Sequence, residues 1–353
     1  MEYRQLGRSG LRVSALALGT VTFGGTGGTA VWGSQDVVAA RQLIDTCVDA
    51  GVNLIDTADA YSDGLSEEIL GEALQGSHPD VLVATKARFS MGDGPNDAGL
   101  SRHHLIAACE ASLKRLRRDH IDLYQVHAWD GQTPLEETLS ALDTLVTSGK
   151  VRYIGSSNFS GWHLMKAAGV AERRGFEPFV AQQIYYSLQA REAEQELIPA
   201  GIDLGLGTLV WSPLAGGLLS GKYRRNVKPE GVSRHLTGWH EPPIYDADRL
   251  WDTVDVIVEI ADARGIAPSL VALAWLLDRP TVSSLVIGAR THEQLVTNLG
   301  AVDVKLTAEE SGALERVSRR PLEYPYWHQA MTASDRMSPA DASLLGPQIE
   351  GDA

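Results

Sequence analysis

The chain has 353 residues, 44% of them apolar and 22% charged, with 31 Lys and Arg against 45 Asp and Glu for a formal net charge of -14. That is ordinary globular material with enough apolar residues for a large core, and its acidic balance argues against a nucleic-acid footprint or an anionic membrane surface as partner. The two cysteines, Cys47 and Cys109, offer neither a disulfide framework nor zinc-ligand spacing, and no metal is expected. Met1–Gln5 shows no signal-like apolar run, and nothing approaches the roughly 18 apolar residues of a membrane span, so a cytoplasmic location is expected. A cluster of Lys222, Arg224, Arg225 and Lys228 reads as solvated surface.

In chain order, Tyr3–Leu6 and Leu11–Val13, separated by Gly7-Arg8-Ser9-Gly10, read as a β-hairpin. Short apolar runs then alternate with amphipathic stretches: Leu16–Leu18, Val52–Ile55, Val81–Ala84, Ile121–Val126, Arg152–Ile154, Val180–Gln183, Thr208–Val210 and Leu285–Ile287. Continuous rather than alternating apolarity is the mark of a parallel sheet covered on both faces. Helix starts are legible at Thr133-Pro134-Leu135-Glu136, as an N-cap with proline at the first helical position, and in capping boxes at Thr291–Gln294 and Thr307–Glu310. Gly149 reads as a left-handed stop for the helix opened at Thr133. Leu214–Asp246 is long and rich in Gly, Pro and Arg, as an extended active-site loop would be.

Eight strands alternating with helices leave a closed barrel or an open doubly wound sheet. The leading hairpin favours the barrel. The glycine-rich stretch Gly24–Gly28 enters a loop at Ala30–Gly33, so no G-x-G-x-x-G lies between a strand and a helix. The expectation is an α/β fold, a (β/α)₈ TIM barrel with an N-terminal β-hairpin and extended loops. Residues 1–320 form one catalytic domain, and 321–353 a partly ordered C-terminal tail or loop.

Barrel enzymes collect their chemistry at the C-terminal ends of the strands. Reading those ends gives Asp56, then Tyr61 in the following loop, Lys86 and His127. Each alone has a bland reading: a loop acid, a half-buried aromatic, a snorkelling lysine, a satisfied histidine. Together they suit proton and hydride chemistry. A tyrosine can protonate a carbonyl oxygen as hydride reaches carbon, if a nearby ammonium eases its ionisation. Lys86 would supply that charge and Asp56 would orient it. A barrel glycosidase would need a carboxylate pair instead, and none stands at these strand ends. His103, His104, His235 and His240 lack ligand-like spacing and read as surface or loop residues.

The segments Asn53–Tyr61, Thr85-Lys86, Asp122–His127, Gly149–Phe159, Trp211–Leu214 and Ile287–Arg290 resemble, in order, the aldo-keto reductase superfamily, with the likeness running from about Tyr3 to Ser318. The resemblance implies Tyr61 as general acid/base, Lys86 and Asp56 as its tuning pair and His127 as substrate-orienting residue. It implies NADP(H), with Ser157, Asn158 and Gln182 on the nicotinamide carboxamide and Trp211 stacked on the ring. Gly19, Thr20, Ser212, Leu214 and Gly216 would line the extended cofactor, and Gly288, Arg290, Gln294 and Asn298 its adenosine end. Arg290 would hold a 2′-phosphate. Thr297 departs from the glutamate that many relatives carry there. The substrate is expected to be a small carbonyl compound or alcohol, with pocket walls from Phe23, Trp32, Phe89, Trp129 and the aromatic tail. A homo-oligomer is possible on this reading. Potassium-channel β-subunits also resemble the superfamily, so a slowly turning nucleotide-sensing subunit is the competing expectation.

Overall fold

The computed structural model describes residues 1–27, 31–225 and 243–351. Eight parallel strands close into a barrel in chain order: β3 Leu16–Gly19, β4 Leu54–Asp56, β5 Leu82–Ala87, β6 Ile121–Val126, β7 Val151–Ser157, β8 Ala181–Tyr185, β9 Gly207–Trp211 and β10 Val282–Ile287, which pairs back onto β3. Every apolar run read from the sequence is a strand. Several strands extend further at their C-terminal ends than apolarity alone marked, because their last residues are the polar ones that form the site. Around the barrel lie α1 Val37–Asp49, α2 Leu65–Ala73, α3 Arg102–Leu116, α4 Leu135–Thr147, α5 Gly161–Arg174, α6 Leu197–Leu204, α7 Ala247–Arg264, α8 Pro268–Leu277, α9 His292–Leu299 and α10 Ala308–Ser318. Among the described residues no helix is long and apolar enough to cross a membrane.

The hairpin, β1 Tyr3–Gln5 with β2 Arg12–Ser14, plugs the N-terminal end of the barrel. Leu6 and Val13 are buried in one inner layer with Ala17, Leu54, Ala84, Leu123, Ala181, Leu209 and Val286. The alanines on β3, β5 and β8 make room for the plug, and burying Leu6 fully contributes roughly 1.5–3 kcal/mol. The turn sits tightly against the barrel: Arg8 N–H donates to Gly205 O at 2.8 Å. Gly7 has φ +59°, and a Cβ there would come within 2.5 Å of Gly205 O and Gly207 N. Only glycine meets both demands.

Most caps follow the sequence. Thr307 and Glu310 form a reciprocal capping box on α10, and Gly149, with φ +78°, follows the end of α4. Thr291 caps α9 by accepting from Gln294 N–H, but the Gln294 side chain reaches Arg290 N–H rather than closing the box. Thr133 does not cap α4. Pro134 occupies the cap position, and the Thr133 hydroxyl donates to Asp130 Oδ2 at 2.7 Å. Asp130 also accepts from the Leu100 and Gln132 amides, so it outcompetes the helix end for that hydroxyl.

Two other expectations are corrected. The tail is not a loop: it forms α11 Tyr326–Thr332 and α12 Pro339–Gly351. Leu344 and Leu345 are buried, and α12 packs against α6 on the outside of the barrel; among the described residues none of the cavity lining comes from the tail. His104 is buried in α3 rather than on the surface, and burial pulls its pKa below the ordinary value. Lys228, His235 and His240, with most of the Leu214–Asp246 loop, lie outside the described residues. Arg225 is paired with Asp248 and Asp252.

Candidate active site

A cavity of about 1050 Å³ opens at the C-terminal ends of the strands. Asp56 ends β4, Lys86 lies near the end of β5, and His127 follows β6; parallel pairing of these neighbours brings the three together. Tyr61 enters from the turn after β4, and the two residues next in the chain are strained. Ser62 and Asp63 have φ of +51° and +56°, a left-handed geometry that costs about 1–2 kcal/mol per residue. The Ser62 hydroxyl offsets part of that cost by donating to Phe23 O at 2.9 Å and accepting from Gly25 N–H at 3.0 Å. The phenol is held where an ordinary helix start would not put it.

Lys86 is wholly buried beneath the cavity, and its three ammonium protons find three acceptors: Asp56 Oδ2 at 2.6 Å, Thr57 O at 2.8 Å and Tyr61 Oη at 3.4 Å. Asp56 Oδ1 accepts from the side-chain amides of Gln183 at 2.8 Å and Gln125 at 3.4 Å. Both carboxylate oxygens are thus spoken for, and the carboxylate is fixed on the lysine. An ammonium cannot accept a hydrogen bond. Tyr61 therefore accepts a hydrogen bond from Lys86 and must direct its own O–H elsewhere, and the cavity is the open side.

Burial pushes the Tyr61 phenol above its ordinary pKa, with the Lys86 charge pulling the other way. Sequence reasoning expected the ammonium to ease ionisation; it does, but desolvation outweighs it. Burial works against the charged form of Lys86 too, yet the Asp56 carboxylate and Tyr61 hold its pKa above the usual value. His127 is depressed well below the ordinary range by burial and then by the Lys86 charge, so its ring is neutral. The ring stands edge-on to Tyr61, 5.8 Å between centroids, and 4.7 Å from Phe89.

The cavity runs from Tyr61 and His127 along the ends of β7, β9 and β10 to α9. Of the residues expected to hold a dinucleotide, Gly19, Thr20, Ser157, Asn158, Trp211, Ser212, Leu214, Gly216, Gly288, Arg290, Gln294 and Asn298 line it. Trp211 Nε1–H donates to Asn158 Oδ1 at 3.1 Å, and its ring lies against Tyr185, 4.8 Å between centroids. The Arg290 guanidinium donates to Val31 O at 2.7 Å and Trp32 O at 3.3 Å, tying the β10–α9 loop to the one after β3.

Three expected site residues fall elsewhere. Gln182 faces outward, its amide donating to Leu197 O at 2.8 Å and Thr208 Oγ1 at 3.3 Å; its neighbour Gln183 faces the cavity. Successive residues of a strand alternate sides, so a slip of one reverses the assignment. Phe23 is fully buried core. Trp129 stacks on His163 at 3.7 Å beside Phe159 and Trp162, away from the lining, whereas Trp32 and Phe89 do line the cavity. Lys222, read from the sequence only as part of a solvated basic cluster, is exposed but also brings a second cation to the lining near the turn at Ala215–Ser220.

The family model described as the aldo/keto reductase family matches residues 15–319. An uncharacterized oxidoreductase of Bacillus subtilis, YrpG, is 42% identical over 88% of this chain and 93% of its own length. A probable voltage-gated potassium channel subunit beta of rice (Oryza sativa subsp. japonica) is 38% identical, over 90% of the chain and 96% of its own length. The versiconal hemiacetal acetate reductase of Aspergillus parasiticus is 35% identical, over 89% and 96%. With that family model matching most of its length and relatives of 35–42% identity over nearly all of it, the chain belongs to the aldo/keto reductase family of oxidoreductases.

Proposed function

We propose that the protein interconverts a small carbonyl compound and its alcohol with NADP(H), using Tyr61 as general acid and base. The observation that carries this reading is the saturation of Lys86 by Asp56, Thr57 O and Tyr61, which leaves the phenol proton to the cavity. A dinucleotide suits the lining. Gly19 and Gly288 withhold side chains where the wall must stay thin, Lys222 and Arg290 bring positive charge, and Ser157, Asn158 and Gln183 bring polar groups beside Trp211. A nicotinamide bound there would supply or take up the hydride.

In reduction, Tyr61 gives its proton to the carbonyl oxygen as negative charge grows there, and the Lys86 ammonium stabilises the tyrosinate left behind. His127, being neutral, has one N–H to offer the same oxygen and does not compete as an acid. In oxidation the tyrosinate takes the alcohol proton. Trp211, packed on Tyr185 and bonded to Asn158, presents a held aromatic face. Arg290, beside Gln294 and Asn298, recognises a 2′-phosphate through charge-assisted bonds.

Replacing Tyr61 with Phe tests this. Turnover falls by a factor on the order of 10² to 10⁴, while NADPH still quenches tryptophan fluorescence with a similar midpoint. Wild-type turnover in that variant overturns the mechanism. The relatives named as channel β-subunits favour a second reading, a nucleotide-responsive subunit with slow turnover. Tight NADPH binding with no reduction across a broad panel of aldehydes and ketones would put that reading first.

A further inference from the structure

Directly behind the catalytic group lies a carboxyl that the proposed mechanism does not use. Asp59 is fully buried, and its backbone N–H donates to Lys86 O at 3.0 Å, so it is built into the same turn of chain that positions Lys86 and Tyr61. Both of its side-chain oxygens are shut off from solvent without a well-formed hydrogen bond, the nearest donor being the adjoining Ala60 amide. A buried carboxylate left in that condition is costly.

The surrounding charges explain why it finds no partner. On α2, the buried Glu67 accepts from Thr85 Oγ1 at 2.5 Å and from Arg115 Nε at 2.7 Å. That contact engages the guanidinium that α3 brings here; Arg115 otherwise donates to Ser112. On β5, Lys86 spends its protons on Asp56, Thr57 and Tyr61. On β6, the Tyr124 phenol is turned to Leu105 O at 3.2 Å, with the buried Cys109 thiol near it on α3. Two cations and three carboxyls share the region, and each cation is committed to a carboxyl other than Asp59.

We propose that Asp59 is a positioning residue for the Asp56–Lys86–Tyr61 group, a buried acid to which no cation is committed, whose charge state adjusts the acidity of Tyr61 by cancelling part of the Lys86 charge. The inference rests on Tyr61 being the acid and base. Burial, and then the nearby Glu67 carboxylate, hold the Asp59 pKa up at about 8. While neutral, Asp59 leaves the ammonium's full field on the phenol. Once ionised it counts against tyrosinate, as its influence on Tyr61 already shows in direction. The consequence falls on alcohol oxidation, which needs tyrosinate: above about pH 8 the wild-type enzyme resists the very deprotonation that rising pH promotes.

The test compares wild type with Asp59→Asn, an isosteric change, and with Asp59→Ser in case the amide disturbs folding. Infrared difference spectra of the whole protein should show a protonated carboxyl C=O band at neutral pH. It should be lost on titration through about pH 8 and be absent from both variants. In alcohol oxidation, the rising limb of kcat/KM against pH should move to lower pH in the variants by about one unit, a tenfold gain at a pH on the wild-type limb, since nearby like charges shift a pKa by roughly that much or more. A merely structural Asp59 would lower the plateau and leave the limb in place, and that result, or a missing carboxyl band, overturns the proposal. If Tyr61→Phe is inactive while the limb stays put, only the role of Asp59 falls; if Tyr61→Phe is active, the mechanism itself falls.

Discussion

Replacing Lys86 with Met removes one half of a buried ion pair and keeps the alkyl volume. Lys86 and Asp56 are 0% and 2% exposed and 2.6 Å apart, so solvent cannot take over for the missing partner. The Asp56 carboxylate is left with the amides of Gln183 and Gln125. Breaking such a pair costs about 3–5 kcal/mol, most of it the penalty of an uncompensated buried charge. Unfolding entropy of ~2.1 cal/mol/K per residue over 353 residues amounts to about 0.7 kcal/mol/K, so Tm should fall by about 4–7 °C. Adding Asp56→Asn removes the stranded charge and should restore most of that loss, although neither protein turns over. Thermal melts of the two single variants and the double variant, followed by circular dichroism, give the coupling directly. A Lys86→Met protein that melts with wild type, or a double variant that loses the sum of the singles, would refute the claim that the pair is held by mutual need.

Arg290→Ala should erase a preference for NADPH over NADH of about ten- to a hundredfold, the worth of one charge-assisted contact. Titration of both cofactors checks it, and an unchanged ratio clears Arg290 of the role. Gly7→Ala should cost about 1–3 kcal/mol in urea unfolding from backbone strain alone, with kcat of the folded enzyme unaffected; equal stability would mean that the hairpin plug does not seat as described. Asp59→Asn should raise Tm most at alkaline pH. A carboxyl held near 8 when folded, against an ordinary 3.8, draws stability down as pH rises between those values. The gain should therefore vanish toward pH 4, and an equal gain at all pH values would contradict the buried acid.

The barrel was legible because buried parallel strands are apolar on both faces, and that same property hid the side-chain directions. At Val180–Gln183 both flanking surfaces are apolar, so nothing in the pattern says which glutamine points inward. The register Gln183↔Leu209 on β9, with Asp56 waiting across the barrel, decides it. Asp56, Tyr61, Lys86 and His127 were readable because strand ends are where a buried polar residue has somewhere to go. Trp129 misled, since an aromatic in a site loop can just as well pack on a helix start, as it does on His163. The tail looked like a loop because it is Ser, Ala and Asp rich; what the pattern did not mark is that α12 packs on α6 with Leu344 and Leu345 buried. Asp59 carried no signal at all. Its environment is assembled from α2, α3, β5 and β6, which only the folded chain brings together.

The seam that closes the barrel has a cost during synthesis. Leu16 on β3 pairs with Leu285 on β10, about 270 residues later, and the Arg4 guanidinium donates to Leu277 O and Val282 O at the same seam. Until the ribosome has released β10, the nascent sheet has two bare edges and the hairpin plug has no completed ring to sit in. At roughly 5–20 residues per second that interval lasts on the order of 15–50 s, a long exposure for strands that can pair with neighbours. Early helices such as α1 and α2 can cover the faces of the growing sheet in that time, but not its edges. Recovery of this protein from a fast expression host should therefore depend more on elongation rate and chaperone supply than its finished, edgeless ring would suggest.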